Sequence, residues 1–69
     1  MQKEWNESVT EQVKESAFKT AFRFHQEARE DGDFVKYERA AYYYELAGEW
    51  AKAEHCQAVA RTLKNEQTA

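Results

Sequence analysis

The sequence contains no proline, only two glycines and a single cysteine, Cys56. A lone cysteine excludes a disulfide within the chain, and the lack of proline removes the residue that breaks helices most strongly. Alanine, glutamate, lysine, glutamine and arginine dominate the remaining positions, and all five are good helix formers. The composition therefore predicts helices that are interrupted at Gly32 and Gly48.

Long apolar runs are also lacking. No stretch approaches the ~20 apolar residues of a membrane-spanning helix, and the first residues lack the apolar run of a signal peptide. We therefore expect a cytoplasmic protein. A chain of 69 residues forms one domain at most, which we take as residues 1–69. Such short chains often gain stability from a partner subunit, so a homo-oligomer is one expectation.

Basic residues are in the minority. Ten Lys and Arg stand against thirteen Asp and Glu, the formal net charge is -3, and the two signs are interspersed. Nucleic-acid-binding domains usually present a basic surface, so a helical DNA-binding module is kept only as an alternative. Its DNA-binding face in a helix-turn-helix would have to come from Lys36, Arg39, Lys52, His55 and Arg61.

The first predicted helix ends near Glu30. Residues 8–11, Ser-Val-Thr-Glu, fit a capping box at a helix start. Residues 1–8 are then either an N-terminal arm or an extension of this helix, because Trp5, Val9 and Val13 keep the i+4 spacing. The apolar stripe of the helix is predicted to be Val13, Ala17, Ala21, Phe24 and Ala28.

Two further helices are predicted over 34–47 and 49–64, followed by a frayed polar tail over 65–69. The second helix has a main apolar stripe that includes Tyr37 and Tyr44. A second strip, made of Val35, Tyr42 and Leu46, lies on another side. A helix that is apolar on two sides usually packs between two neighbours, so we place the second helix in the middle.

The two glycines begin similar corners. Residues 32–34, Gly-Asp-Phe, and residues 48–50, Gly-Glu-Trp, start 16 positions apart (48 minus 32). The glycine suits the left-handed residue after a helix end, the acid suits the next N-cap, and the aromatic residue packs at the corner. Tetratricopeptide hairpins use a similar corner. We predict an all-α fold of three antiparallel helices, tetratricopeptide-like, with short glycine corners.

Residues that would carry catalysis or bind a metal are few. A catalytic Cys56 would need a histidine base nearby, but His55 points to another side of the helix. Cys56 lies in the apolar stripe, which favours a buried structural cysteine. His25, His55 and Cys56 lack the paired spacing of zinc ligands, and no glycine-rich phosphate loop is present. We predict no enzyme activity, no cofactor and no metal site.

Aromatic residues make up 14% of the chain, which is high for so thin an interior. Residues 42–44 are three consecutive tyrosines that span about 200° of a helix, so they cannot all face one neighbour. Aromatic residues are favoured at protein interfaces. We predict a protein-binding surface made of Phe18, Phe22, Tyr42, Tyr43 and Trp50. The alternative, that these rings pack inside a thin bundle or lie half-exposed, stays open.

Part of the chain resembles the ANR family of small negative transcriptional regulators. The matching positions are Glu27, Gly32-Asp33-Phe34, Ala40-Ala41, Tyr44, Trp50-Ala51 and Cys56. The chain departs from the family pattern by extra residues before Ala40, a shorter linker before Trp50 and no arginine before Cys56. The resemblance implies a transcription regulator that contacts another regulatory protein rather than DNA. The implied partners are AraC-type activators and the nucleoid protein H-NS.

A further alternative is a small acidic inhibitor, of the kind that phages encode, directed at a host enzyme or defence complex. A compact acidic surface suits charge mimicry of a natural ligand. The contact residues would then be Glu27, Glu30, Asp31 and Asp33.

Overall fold

The computed structural model describes the backbone of residues 2–68 and the side chains of residues 11–68. This part of the chain folds into α1 (Gln2–Asp31), α2 (Phe34–Leu46) and α3 (Trp50–Thr68), and it contains no strand. The prediction of an all-α, three-helix fold is confirmed. None of the three helices, over the described residues, combines the length and the apolarity that crossing a bilayer requires.

The first helix is a single element of 30 residues. At about 1.5 Å per residue it is roughly 45 Å long, which accounts for most of the 54 Å length of the molecule. The region predicted as an arm or an extension is an extension, because the helix begins at Gln2. Residues 8–11 therefore lie inside the helix rather than at its start, and the capping side chain of Ser8 is outside the described side chains.

The third helix is longer than predicted. It continues to Thr68, although we predicted an end near Leu63 or Lys64 and a frayed tail over 65–69. The Nε2 group of Gln67 donates a hydrogen bond to the backbone oxygen of Gly32, at 3.2 Å. This contact joins the end of α3 to the first corner, and the apolar pattern of α3 gives no indication of it. Ala69 lies outside the described residues.

Both glycines adopt the predicted left-handed conformation, and Asp33 is the predicted N-cap. The second corner differs from the prediction, because Glu49 contacts Lys52 and Trp50 is 67% exposed instead of packing at the corner. Gly32 has φ +64° and Gly48 has φ +78°, and both follow a helix end. The N–H of Gly48 donates to the oxygen of Glu45, and the N–H of Glu49 donates to the oxygen of Tyr44, which is the Schellman pattern. At the first corner, a side-chain oxygen of Asp33 accepts the N–H of Val35 at 2.9 Å and caps α2.

The second helix lies between the other two, as predicted, and packs against both. Phe18 of α1 contacts Tyr44, whereas Glu27 of α1 reaches Lys36 near the start of α2, so α1 and α2 are antiparallel. α3 returns antiparallel to α2 and therefore runs parallel to α1. The ring pair of His25 and His55 shows that α1 and α3 approach each other.

Small side chains fill most of the core. Among residues 11–68, seven of the ten buried apolar residues are alanines, and the other three are Tyr37, Tyr44 and Cys56. Alanines such as Ala21 and Ala40 are fully buried, which lets the helix backbones approach closely. The two buried tyrosines fill the core volume that the closely packed alanines leave.

Two details of the predicted apolar stripes are wrong. Val13 is 52% exposed, because it lies beside the end of α2, where only Tyr43 and Leu46 are near it among the described α2 residues. The second strip of α2, Val35, Tyr42 and Leu46, is also exposed. α2 packs against both neighbours through its main stripe, which includes Tyr37, Ala40, Ala41 and Tyr44, and Tyr43 adds a stacked contact with Phe24 of α1.

Candidate binding groove

A groove of about 510 Å³ runs between α1 and α3, with α2 beneath it. It exists because both outer helices pack on α2 and make few contacts with each other. We call this site the groove. It is lined by Phe18, Phe22, His25, Gln26 and Arg29 of α1, Tyr44 of α2, and Ala51, Lys52 and His55 of α3.

The floor of the groove is aromatic. Tyr44 is 1% exposed, and its ring meets the ring of Phe18 edge-to-face at a centroid distance of 5.9 Å. Such a pair contributes about 0.5–1.5 kcal/mol beyond the area it buries. Burial raises the pKa of the Tyr44 hydroxyl, with smaller contributions from Cys56 and Glu49. The floor is therefore rigid and neutral at physiological pH.

Histidines from both outer helices meet in the groove. The rings of His25 and His55 lie 6.2 Å apart, and His25 Nδ1 is 3.2 Å from the hydroxyl oxygen of Tyr44. Burial lowers the pKa of His25, and the positive charge of Arg29 and the neighbouring His55 lower it further. A carboxylate placed in the groove would act in the opposite direction and favour the protonated ring.

Positive charge surrounds the apolar floor. Arg29 and Lys52 line the groove together with the two histidines, and no Asp or Glu is among the described lining residues. Lys52 lies 3.6 Å from Glu49, but both side chains are about half-exposed. An exposed pair of this kind contributes little, so Lys52 remains free to contact an acidic ligand.

The groove also has exposed apolar surface. Phe22 is 50% exposed on its α1 wall. Trp50 is 67% exposed and begins α3, immediately before the lining residue Ala51. Half-exposed aromatic rings beside cationic side chains form a surface that can bury an apolar segment and contact its charged flank.

The five aromatic residues predicted as one interface do not share one surface. Phe18 and Phe22 line the groove. Tyr43 lies on another face of the molecule, where its ring stacks on Phe24 at 5.8 Å and 8°. Tyr42 is 58% exposed and touches the edge of the Tyr43 ring. Trp50 is exposed next to the groove but is not one of its lining residues.

The second surface lies where α2 ends against α1. It is a shallow depression of about 340 Å³ that we call the shoulder. The lining residues that the structure describes are uncharged: Gln12, Val13, Ser16, Ala17, Thr20, Tyr43 and Leu46.

Three of the four residues of the predicted acidic interface already contact other groups of the same chain. Lys36 Nζ contacts Asp31 and lies 3.4 Å from Glu27, and the hydrogen bond to Asp31 is the main cause of a raised Lys36 pKa. Asp33 is the cap of α2. Glu30 is exposed and lines a depression of about 360 Å³ together with Gln26 and Arg29.

The basic residues considered for DNA do not form one face. Lys36 pairs with acids of α1, and His55 lies in the groove. Arg61 lines a separate cavity between α2 and α3 with Glu38. A recognition helix needs several base-reading and phosphate-binding side chains together, and this arrangement separates them.

Cys56 is fully buried, and burial raises its pKa. His55 is exposed on another side of α3, as the helical spacing predicted. Among the described residues, no three His, Cys, Asp or Glu side chains are grouped as metal ligands.

A row of side chains at helical spacing in α1 indicates the wall of the groove. Phe18, Phe22, His25 and Arg29 follow each other at helical spacings of four, three and four residues. Of this row, the sequence-based prediction of an interface names only Phe18 and Phe22. The row is the wall that α1 presents to α3, and Lys52 and His55 face it from the other helix.

Comparison of the chain with protein-family models, with curated proteins and with solved structures found no match.

Proposed function

We propose that this protein is a small regulator that binds another protein, and that the groove receives an amphipathic helix with acidic residues along its flank. The observation that supports this proposal is an apolar floor and an exposed Phe22 next to Arg29 and Lys52. Helix-in-groove binding is a recurrent mode of protein recognition, in which apolar side chains at i, i+3, i+4 and i+7 anchor the ligand.

The length of the groove suits a short helix. Phe18 and Arg29 mark its extent along α1, and they are 11 residues apart (29 minus 18). At about 1.5 Å per residue this is roughly 16 Å, or about three helical turns. A ligand of that length presents two or three apolar side chains on one face, enough to cover Phe22 and the floor.

The charges favour an acidic ligand. The whole chain has a formal net charge of -3. In the described lining of the groove, by contrast, the charged side chains are those of Arg29 and Lys52, the two histidines can gain a positive charge, and no carboxylate is present. Opposite charges increase the association rate and discriminate against basic segments. The same pattern predicts that binding weakens as salt concentration increases.

The burial and the raised pKa of Cys56 favour a binding function over a catalytic one. Cys56 is buried with a raised pKa, whereas reactive cysteines have a lowered pKa and partial exposure. The two groove histidines face no Ser, Thr or Cys among the described lining residues. We therefore propose a regulator without enzyme activity.

The first partners to test are those implied by the ANR resemblance, namely an AraC-type activator and the nucleoid protein H-NS. A cytoplasmic location and a role in transcription belong to the same proposal. The groove supplies the binding mode, and the resemblance supplies the class of partner.

The experiment compares groove and non-groove variants in one affinity capture. Immobilised wild-type protein, Phe22→Asp and Val35→Asp are exposed to nuclease-treated lysate of the source organism, and the captured partner is then titrated in purified form. Val35 is the matched control, since it is also an exposed apolar helical residue, at 41%, but lies outside the groove. We expect Phe22→Asp to weaken binding at least tenfold, about 1.4 kcal/mol, and Val35→Asp to bind like the wild type.

Equal affinities for all three proteins would overturn the groove proposal. An Arg29→Glu, Lys52→Glu double variant tests the charge argument separately. It should weaken binding most at low salt, because electrostatic attraction between exposed groups is screened at high salt.

The acidic inhibitor remains the alternative from another class. Charge reversal at Glu30 is its most direct test, since Glu27, Asp31 and Asp33 also make contacts within the chain, two as ion pairs with Lys36 and one as the cap of α2. If Glu30→Lys abolishes partner binding and Phe22→Asp does not, the inhibitor hypothesis replaces ours. Direct DNA binding is tested by a gel shift at low salt, and no shift would exclude it.

A further inference from the structure

The two histidines of the groove lie where α1 and α3 approach each other. The centroids of the His25 and His55 rings are 6.2 Å apart, although both outer helices pack mainly on α2. His25 is half-buried and His55 is exposed, and both line the groove. They are the only histidines of the chain. Histidine is the side chain that ordinarily changes its charge near neutral pH, so both such side chains share one cleft.

Neutral rings face His25 from α2. The hydroxyl oxygen of Tyr44 is 3.2 Å from His25 Nδ1, and the ring of Tyr37 meets the imidazole edge-to-face at a centroid distance of 5.8 Å. The Tyr44 contact uses Nδ1 and leaves Nε2 for a ligand in the groove. The core therefore fixes the position of the His25 ring without supplying a negative charge for it.

Positive side chains stand beside the pair on both outer helices. Arg29 follows His25 by four residues on α1, and Lys52 precedes His55 by three residues on α3, so each lies about one helical turn from its histidine. No Asp or Glu is among the described lining residues. The nearby carboxylate of Glu49 contacts Lys52 and is outside that lining. A protonated histidine pair therefore lacks a counter-charge in the described groove.

The start of α3 adds to the positive potential. Ala51 and Lys52 belong to the first turn of α3 and also line the groove. The N–H groups of a first turn have no partner within the helix, and the positive end of the helix dipole lies there. The first turn of α3 contains no acidic residue. The histidine pair and this helix end together favour an anion at the same place.

We propose that His25 and His55 form a subsite for a carboxylate of the acidic helix, and that the groove takes up protons when this carboxylate enters. The inference rests on the proposed function, since that helix supplies the carboxylate. An Asp or Glu side chain suits the subsite, because its apolar stem packs on the aromatic floor while its two oxygens accept N–H groups from both protonated rings.

The subsite also positions the acid relative to the apolar contact. His25 follows Phe22 by three residues (25 minus 22), which is about 4.5 Å along α1. An acidic residue three or four positions from an apolar one lies on the same face of a ligand helix. The preferred ligand therefore has an apolar side chain over Phe22 and an Asp or Glu one turn away.

Proton uptake gives the direction of the pH dependence. In the free protein, burial, then Arg29 and His55, lower the pKa of His25. A bound carboxylate favours the protonated ring and raises the pKa of His25 in the complex above its value in the free protein. Between these two pKa values the complex holds more protons than the free protein, so affinity increases as the pH falls. Binding is therefore tighter in mild acid.

Nuclear magnetic resonance of the full-length protein tests the subsite with sodium hexanoate as the probe, because hexanoate joins a carboxylate to an apolar chain. Hexanamide has a similar chain without the charge and is the control, and inorganic phosphate tests for a general anion site. Affinities are measured from the signals of the histidine rings at about pH 8 and about pH 6. His55→Gln is compared with Arg61→Gln, an exposed basic residue of α3 in a separate cavity.

We expect the wild type and Arg61→Gln to bind hexanoate at least about threefold more tightly at the lower pH, and hexanamide equally at both. His55→Gln should show a smaller ratio, and because His55 is exposed, this variant should keep the fold. Three results would each overturn the subsite: histidine signals that hexanoate leaves unchanged, equal hexanoate affinity at both pH values, or tighter binding of phosphate than of hexanoate.

The subsite and the proposed function can fail separately. If Phe22→Asp weakens the captured partner but hexanoate binds equally at both pH values, the groove binds a helix and the carboxylate subsite is wrong. If hexanoate binds as expected but Phe22→Asp leaves partner affinity unchanged, the subsite is confirmed and the helix-binding function is wrong.

Discussion

The Nδ1 atom of His25 lies 3.2 Å from the hydroxyl oxygen of Tyr44. This contact connects the wall of the groove to the largest fully buried side chain of the core. The two rings also meet edge-to-face at a centroid distance of 5.8 Å. A change in the charge of His25 therefore acts on both the groove and the stability of the fold.

Stability should decrease in mild acid through His25. Burial, then Arg29 and His55, lower its pKa below the ordinary value of about 6.5 in the folded protein. Between these two pKa values the unfolded chain binds more protons, so stability is present above about pH 6.5 and is lost as the pH falls. We expect urea denaturation to show this loss as the pH falls below about 6.5 in the wild type and a smaller loss in His25→Gln. An unchanged pH slope in His25→Gln would contradict this assignment.

Enlarging a core alanine should destabilise the fold. Ala21 is fully buried in the core cluster. Overpacking of a dense core costs about 1–3 kcal/mol, and each kcal/mol lowers the Tm of so small a domain by roughly 4–8 °C. We expect this decrease for Ala21→Leu in a thermal melt. Ala58→Leu, at an exposed position of α3, should change stability by less than about 0.5 kcal/mol. Equal effects of both changes would show that the core is loosely packed.

Replacing Gly48 by a larger residue should destabilise the fold through backbone strain and not through a steric clash. Its φ is +78°, and no atom lies within 4 Å of where a Cβ would stand. The left-handed conformation costs an ordinary residue roughly 1–2 kcal/mol, whereas asparagine tolerates it better. We expect equilibrium unfolding to rank wild type above Gly48→Asn, and Gly48→Asn above Gly48→Ala. A Gly48→Ala protein as stable as the wild type would show that the corner can adopt another conformation.

Much of the fold followed from local sequence. The glycine corners, the cap at Asp33, the central place of α2 and the burial of Cys56 were predicted. The corners, the cap and the burial of Cys56 depend on interactions within a few residues or on one apolar stripe. The central place of α2 was predicted from a second apolar strip that the structure leaves exposed. The end of α3 was predicted too early, since the hydrogen bond from Gln67 to Gly32 joins positions 35 residues apart.

The candidate site was only partly predictable. Phe18 and Phe22 were selected as interface residues, and both line the groove. Tyr42 and Tyr43 were assigned to the same surface, but they lie near the shoulder. Helical spacing gives the direction of a side chain on its own helix. It does not tell which neighbouring helix, if any, lies in that direction.

The sequence by itself determined that this protein is three helices with two glycine corners, because helix propensity, capping and φ > 0 at glycine are local properties. The tertiary structure decided which aromatic rings share a surface. It also decided that Arg29 and Lys52, from helices that do not adjoin in sequence, surround one apolar floor. These features depend on the angles and distances at which helices pack, and side-chain shape along the whole interface sets those.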